Sequence, residues 1–459
     1  MSAESTKGKR TGAIAQRLRE LPYDKRVCRL EDTGFLRPKR VDTDRSLEDD
    51  VAFLKEVGLE VLVVGPELFR ELPSFKSDLI PPPADDDPDW VPAGLDLLHQ
   101  AGILVLAYYP LNWPSKPHKP THPEWGMQYL DDGRPIPESH GVVCFNSPYR
   151  DWLPRYLNEY LDLYDIDGFY FDDTNWGSHQ DNYPQIEGHH LHHFVSCCCP
   201  YCEQLFKEDT GLEIPRKVDF DSMDFRHFLN WRYNKFEDFL HHVFGRVKEK
   251  HPDTILDLNY YATPATDWRQ GHPLNSLHLD EVDSVLFVES ITGSLREPSF
   301  IAKLLRATGT PFAVFRNVTQ TLRGFRGAPY AERYSAAVFS FASIANGGQP
   351  CGDPFGGITI LRKDAMKFVY GELQKRRDYV EGETVKYVAL HLSQQNRDFR
   401  PSEMPKNEGR FPRRQTAQVD VVGAYEMLNR SHLLFDFVLD ERLTYEYLSQ
   451  YRVIFLSNS

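Results

Sequence analysis

Residues 168–176 read GFYFDDTNW, and this stretch decides the fold. A glycine and three aromatic residues run without a polar break, then stop on Asp172-Asp173-Thr174-Asn175-Trp176. A short, continuous apolar run marks a strand buried on both faces, as strands of parallel sheets are. A polar cluster at the C-terminal end of such a strand is where α/β folds place their chemistry.

The pattern repeats outward in both directions. Upstream lie VLVV (61–64), ILVLAYY (103–109) and GVVCFN (141–146), read as strands one to three. Downstream lie TILDLNYY (254–261), SVLFVES (284–290), PFAVFRNV (311–318) and NGGQPCGD (346–353). Between them stand helical stretches: SLEDDVAFLKEVG (46–58) with its Ser46 cap and acidic first turn, then segments near 91–101, 148–163, 223–250, 297–307, 329–345 and 363–379. About eight such units over residues 46–382 predict an α/β fold, a (β/α)8 TIM barrel with insertions at 66–90, 110–140 and 174–222. A doubly wound open sheet is the alternative, but no G-x-G-x-x-G follows an early strand. Residues 1–45 are charged and irregular and read as an N-terminal extension, with a helix near 12–21. Residues 383–459 begin a new rhythm: KYVALHLS (386–393), a helix near 416–429, LLFDFVLD (433–440) and YRVIFLSNS (451–459). This reads as a partial flavodoxin-like α/β domain, apparently incomplete after three strands.

The formal net charge of −14 argues against a nucleic-acid partner, whose phosphates need Lys and Arg. No segment approaches the ~20 apolar residues of a membrane helix, and the polar N-terminus has no signal-like apolar core. A soluble, cytoplasmic protein without a membrane partner is expected. Aromatic residues make up 13% of the chain, which suits a sugar-binding surface, although a large core alone accounts for it.

Several strands finish in residues suited to a carbohydrate substrate. These are Tyr108 with Trp113 beyond it, Asp172 with Asn175 and Trp176, Asn259-Tyr260, Glu289, and Arg316. Glycosidic cleavage needs two carboxylates on different strands, one at the anomeric carbon and one at the leaving oxygen. Strand alternation separates Asp172 from Asp173, and Asp172, directly after the apolar run, is taken as the inward one. Any single carboxylate at a strand end can also serve as a helix cap or bind a loop amide.

Seven cysteines, four of them bunched at Cys197-Cys198-Cys199-Pro200-Tyr201-Cys202, make a poor disulfide framework. C-x-C-x-x-C with Cys198 spare is zinc-ligand spacing, and a fourth ligand must come from elsewhere. Cys144 is the natural candidate; His189, His190, His192 and His193 compete for the role. Four protein ligands would make the zinc structural.

CFNSPYRDWL (144–153), followed by a strand and CCCPYCEQLF (197–206), resembles the zinc-site segments of glycoside hydrolase family 42 β-galactosidases. The resemblance implies Cys144, Cys197, Cys199 and Cys202 as zinc ligands. LLFDFVLDERLTYEYLSQYRVIFL (433–456) resembles the start of that family's flavodoxin-like trimerisation domain and implies a homo-oligomer, a trimer above all. Family 42 closes strand four on Asn-Glu, whereas this chain reads DGFYFDDTNW, which looks more like family 29 α-L-fucosidases and uncharacterised hypothetical glycoside hydrolases related to both. That likeness implies Asp172 as nucleophile. Glu289 is chosen as acid/base on position alone. The reading is a retaining exo-glycosidase acting on α-L-fucosides, β-galactosides or related sugars. A catalytically silent carbohydrate-binding barrel is the alternative, and a metal-dependent hydrolase would need an open His/Asp site.

Overall fold

A computed structural model describes residues 14, 16–21, 28–31, 46–65, 78–79, 91–111, 122–130, 132–136, 143–172, 174, 176, 197–217, 219, 221–259, 285–289, 297–315, 337–338, 340–352, 363–380, 382–399 and 416–457. Eight short parallel strands close into a barrel. They are β1 (Arg29–Glu31), β2 (Val61–Val64), β3 (Leu104–Pro110), β4 (Gly168–Asp172), β5 (Ile255–Asn259), β6 (Leu286–Glu289), β7 (Phe312–Phe315) and β8 (Gln349–Gly352). β1 pairs with β2 on one side and with β8 on the other, which completes an α/β barrel of the TIM type.

The outer helices include α1 (Leu47–Val57), α2 (Val91–Gln100), α3 (Tyr149–Leu163), α4 (Pro200–Thr210), α5 (Met223–Lys250), α6 (Glu297–Arg306) and α7 (Lys363–Gln374). Ser46 caps α1 through a reciprocal capping box with Asp49, satisfying backbone donors that the first turn leaves without partners. No described helix is long and apolar enough to cross a membrane.

Inside the barrel, Val61, Val63, Leu104, Leu106, Tyr170 and Phe287 belong to one buried cluster. Residues 14 and 16–20 are helical and close its lower end: Leu18 packs on the interior cluster, and Arg17 donates to the Asp167 carboxylate at 2.6 and 3.0 Å.

Two strand assignments change. Arg29–Glu31 lies within the segment read as an extension, yet it is the strand that closes the barrel. The sequence Arg-Leu-Glu looks unlike a buried strand, yet Arg29 is fully buried beside polar partners inside the barrel. Its Nε donates to Gln349 Oε1 at 2.5 Å, and its Nη1 lies 3.9 Å from Asp257 Oδ2. Conversely, 141–146 was expected to be strand three, but β3 pairs directly with β4. Within that segment Val143 makes one isolated antiparallel bridge with Gly126, and the following residues turn. Phe145 is apolar because it stacks on Phe239 and packs at a tilt against Phe236 of α5, not because it belongs to a sheet.

Beyond the barrel, β9 (Val388–Leu392), β10 (Phe435–Leu439) and β11 (Val453–Leu456) form a parallel sheet in the order β10-β9-β11. Helix α8 (Thr416–Arg430) lies between β9 and β10 in the chain. Phe300 of α6 meets Tyr425 and Phe437 edge-on, so this sheet packs against the barrel's outer wall.

Candidate active site and metal centre

Asp172 is the last residue of β4. Tyr170, two residues earlier, belongs to the interior cluster, so strand alternation brings Asp172 to the inside of the barrel mouth. Two neighbours hold its carboxylate. The hydroxyl of Tyr108, on β3, donates to Oδ2, and Asn259 Nδ2, on β5, donates to Oδ1 at 2.5 Å. Thr174 then donates to the backbone carbonyl of Asn259 at 2.5 Å, so the chain leaving β4 stays tied to β5. The base of β4 is fixed as tightly. A Cβ on Gly168 would lie 2.0 Å from the Ile255 carbonyl oxygen, and glycine alone allows that approach. The structure thus brings Tyr108, Asp172 and Asn259 together.

Glu289 is the last residue of β6, opposite Phe315 of β7 and two residues beyond interior Phe287. Its side chain lies outside the described residues, as do Asp173, Trp113, Asn175, Tyr260 and Arg316. Trp176 requires a correction. It was expected to face the substrate, but it is fully buried, with its ring packed near Phe145 and Trp231 and beside the Arg232 guanidinium. A ring with no exposed surface offers no face to a sugar.

Sequence reasoning missed the polar residues inside the barrel. Arg29, Asp257 and Gln349 are all buried, and the guanidinium also lies 5.7 Å from the centre of the Phe287 ring. Asp257 accepts from the Val285 amide at 3.1 Å. One signal was present: the aspartate that interrupts the apolar run TILDLNYY.

Four cysteines meet beside the mouth. The sulfurs of Cys144, Cys197, Cys199 and Cys202 lie within 4.8 Å of one another, all buried, with 3.3 Å between Cys144 and Cys202. Cys144 stands in a turn, its amide bonded to the Trp125 carbonyl at 2.8 Å. Cys199 immediately precedes α4, whose first turn carries Cys202. N–H groups point at the sulfurs: Gln128 and Cys199 amides toward Cys197 at 3.2 and 3.3 Å, and Asn146 Nδ2 toward Cys202 at 3.5 Å. Hydrogen bonds from the other three hold the Cys199 thiol far below its ordinary range, while burial pushes Cys144, Cys197 and Cys202 up. Four thiols converging on one point, with amide donors around them, fit a thiophilic, tetrahedral cation. Cys198 stays apart: its thiol donates to the Tyr129 carbonyl at 2.8 Å, and burial pushes it up to about 12. His189, His190, His192 and His193 lie outside the described residues.

No family model matches the chain, and no curated protein matches it in sequence. Solved structures do match in fold. The α-L-fucosidase isoenzyme 2 of Paenibacillus thiaminolyticus superposes with a TM-score of 0.62 at 19% identity, over 94% of this chain and 59% of that one. The β-galactosidase of the psychrophilic Marinomonas ef1 gives 0.65 at 15% identity, over 93% of this chain and 72% of that one. The cold-adapted β-galactosidase of Rahnella sp. R3 gives 0.67 at 15% identity, over 94% and 67%. This chain therefore spans just over half the length of the fucosidase, and at these identities the shared property is the fold.

Proposed function

We propose that this chain is a glycoside hydrolase, a retaining exo-glycosidase acting on α-L-fucosides, β-galactosides or related sugars. One observation carries the reading: a half-buried carboxylate, Asp172, stands at the C-terminal end of β4 inside the barrel mouth, oriented by a phenol and an amide. The fold is shared with a fucosidase and with β-galactosidases, which supports the same class of substrate.

In this mechanism the Asp172 carboxylate attacks the anomeric carbon as the bond to the leaving oxygen breaks. Tyr108 and Asn259, each donating to one of its oxygens, fix its plane. Glu289 gives its proton to the leaving oxygen, then takes one from the water that hydrolyses the glycosyl ester. Retention requires the two carboxyl groups ~5–5.5 Å apart. Trp113, Asn175, Tyr260 and Arg316, which follow β3, β4, β5 and β7 in the sequence, are the residues this reading assigns to the sugar contacts.

The four-cysteine cluster is proposed as a structural zinc site closed by Cys144, Cys197, Cys199 and Cys202. When bound there, zinc supplies cross-linking of the turn at 143–147 to α4, not chemistry on the sugar. The strand order β10-β9-β11 supports the reading of the second sheet as the start of a flavodoxin-like unit and, with it, a homo-oligomer, a trimer first of all.

A panel of nitrophenyl glycosides, led by the α-L-fucoside and the β-D-galactoside, tests the activity, with the anomer of the first product read by NMR. The expected result is turnover with retained configuration. Inversion removes the nucleophile role, and inactivity on every glycoside removes the reading.

A further inference from the structure

Helix α6 meets the second sheet through Phe300, and Lys303 and Arg306 follow on the same face at steps of three. Lys303 Nζ donates to the Phe435 carbonyl at 3.1 Å and lies 4.5 Å from the centre of the Phe435 ring. Arg306 donates to the Gly382 carbonyl at 2.7 Å. Its Nη1 lies against the turn before β8, where a Cβ on Gly347 would come within 2.8 Å of it. Each cation thus ties the barrel wall to the second sheet through a carbonyl, which carries no net charge. Among the described residues neither makes an ion pair. The chain has 67 acidic side chains against 53 Lys and Arg, so two neighbouring cations without a carboxylate stand out.

Both side chains line one cleft, walled by α6, residues 344–346, residues 382–386 and β10. It has two adjoining lobes of about 270 and 290 Å³ that share Lys303, Arg306, Glu383, Thr384 and Asp436. A third cation, Lys386, is already matched: it donates at 3.1 Å to Asp436 Oδ2, which also accepts from Thr384 at 2.8 Å and from Tyr451 at 3.1 Å. Glu383 is exposed. Burial lowers the Lys303 ammonium below its ordinary value, while Asp436 opposes the shift and Arg306 adds to it, so an anion here would relieve both cations.

An ammonium has three N–H groups and a guanidinium five, so one carbonyl each leaves donors over. A phosphate monoester brings about two negative charges and three acceptor oxygens at neutral pH, a match for two unpaired cations; a carboxylate would match one. Beside the cations, one lobe is lined by Tyr379, Val385 and Leu434, all exposed, an apolar rim suited to an organic body.

We propose that this cleft binds a phosphate monoester, its phosphate between Lys303 and Arg306 and its organic body against Tyr379, Val385 and Leu434, bridging the barrel wall and the second sheet. This site is independent of the chemistry at Asp172.

Calorimetric titration of the full chain at constant ionic strength, with phenyl phosphate, inorganic phosphate and acetate as probes, tests it. Phenyl phosphate should bind best, inorganic phosphate about 3- to 10-fold more weakly for want of the apolar contact, and acetate not measurably. No binding of phenyl phosphate, or equal binding of acetate, overturns the site; equal affinity for the two phosphates overturns the role of the rim. Variants locate the site. Arg306→Gln and Lys303→Met should each weaken phenyl phosphate by about 10-fold or more, the usual loss with a charge-assisted hydrogen bond. Both also remove a tie between barrel and sheet, so Glu383→Gln, an exposed change, is the companion variant. Taking a negative charge from beside the cations should tighten binding by about 2- to 5-fold. If all three variants bind as wild type does, the phosphate sits elsewhere and the proposal falls. Saturating phenyl phosphate should also slow amide hydrogen exchange across 382–386 and 435–437 in wild type and not in Arg306→Gln; unchanged exchange in wild type overturns the bridging.

Discussion

Two aspartates bracket β4, and the two ends of the barrel treat them in opposite ways. Asp167 precedes the strand at the closed lower end. It is fully buried, and Arg17, His99 Nε2 at 3.0 Å and the Val105 amide at 2.8 Å converge on it. Burial alone would raise its pKa; the hydrogen bond and charge of His99, the charge of Arg17 and the Val105 amide outweigh that and hold it below the ordinary value. Asp172 ends the same strand at the mouth, half-buried, and takes hydrogen bonds from the Tyr108 phenol and the Asn259 amide. Saturating a carboxylate with cations and amides makes it a structural tie. Orienting it while leaving it half-exposed is what the proposed nucleophile needs. Barrels of this type keep stability at the bottom and chemistry at the top, and under the proposed function these two residues follow that division within one strand.

The largest expected effect tests the upper end. Asp172→Ala should lower kcat by about 10⁴-fold or more while shifting the melting temperature little, since a missing nucleophile is not replaced by its neighbours. A variant retaining near wild-type turnover would break the comparison.

The lower end comes next. Asp167→Asn should cost about 3–5 kcal/mol of stability, the usual result of removing one partner from a buried ion pair, with kcat per folded molecule unchanged. The pH dependence has a definite sign. Because the folded pKa lies below the unfolded one, this contribution is fully present above about pH 4 and is lost as pH falls through the folded value. Urea melts between pH 3 and pH 7 should therefore be steeper in pH for wild type than for Asp167→Asn. Equal slopes would remove Asp167 as the acid-labile tie.

Smaller changes sharpen the contrast. Tyr108→Phe should reduce kcat by about 10- to 100-fold, in keeping with a hydrogen bond to a carboxylate of roughly 1.5–3 kcal/mol, and leave stability near wild type. Arg17→Met should do the reverse, costing about 1–2 kcal/mol of stability and no activity, because His99 and Val105 remain on Asp167. Either variant behaving like the other would show that the two ends are not separate in function.

The barrel was legible in the sequence wherever a strand is buried by apolar residues on both sides, as in VLVV, ILVLAYY and GFYFDD. It was illegible where burial is achieved by polar pairing. Arg29 belongs to a strand that no hydrophobic count detects, because its partners, Gln349 and Asp257, come from strands 320 and 228 residues away. The opposite error arose at 141–146, where apolar residues serve an aromatic cluster behind the cysteines. Spacing made three of the four clustered cysteines legible, since thiols two and three residues apart at a helix start can converge on one point. Trp176 was misassigned because sequence places it just past a strand end but cannot tell the mouth from the wall behind it. Arg232 left no mark at all: as one of three arginines in the 28-residue helix α5, it looks like any solvated charge until its burial is known.

The way the barrel closes has a consequence for how the chain is made. Its seam joins β1 to β8, and the side chains that lock it, Arg29 and Gln349, are 320 residues apart. At ~5–20 residues per second, roughly 16–64 s of synthesis separate the emergence of the two halves of that seam. For all of that time β1 has only β2 to pair with, and Arg29 lacks the glutamine that will receive it. The nascent protein is an open, curling sheet with a live edge, and closure is a late, non-local event of the kind that folds slowly. An unpaired β1 edge during synthesis, rather than the stability of the closed barrel, is where this architecture is most exposed to misassembly.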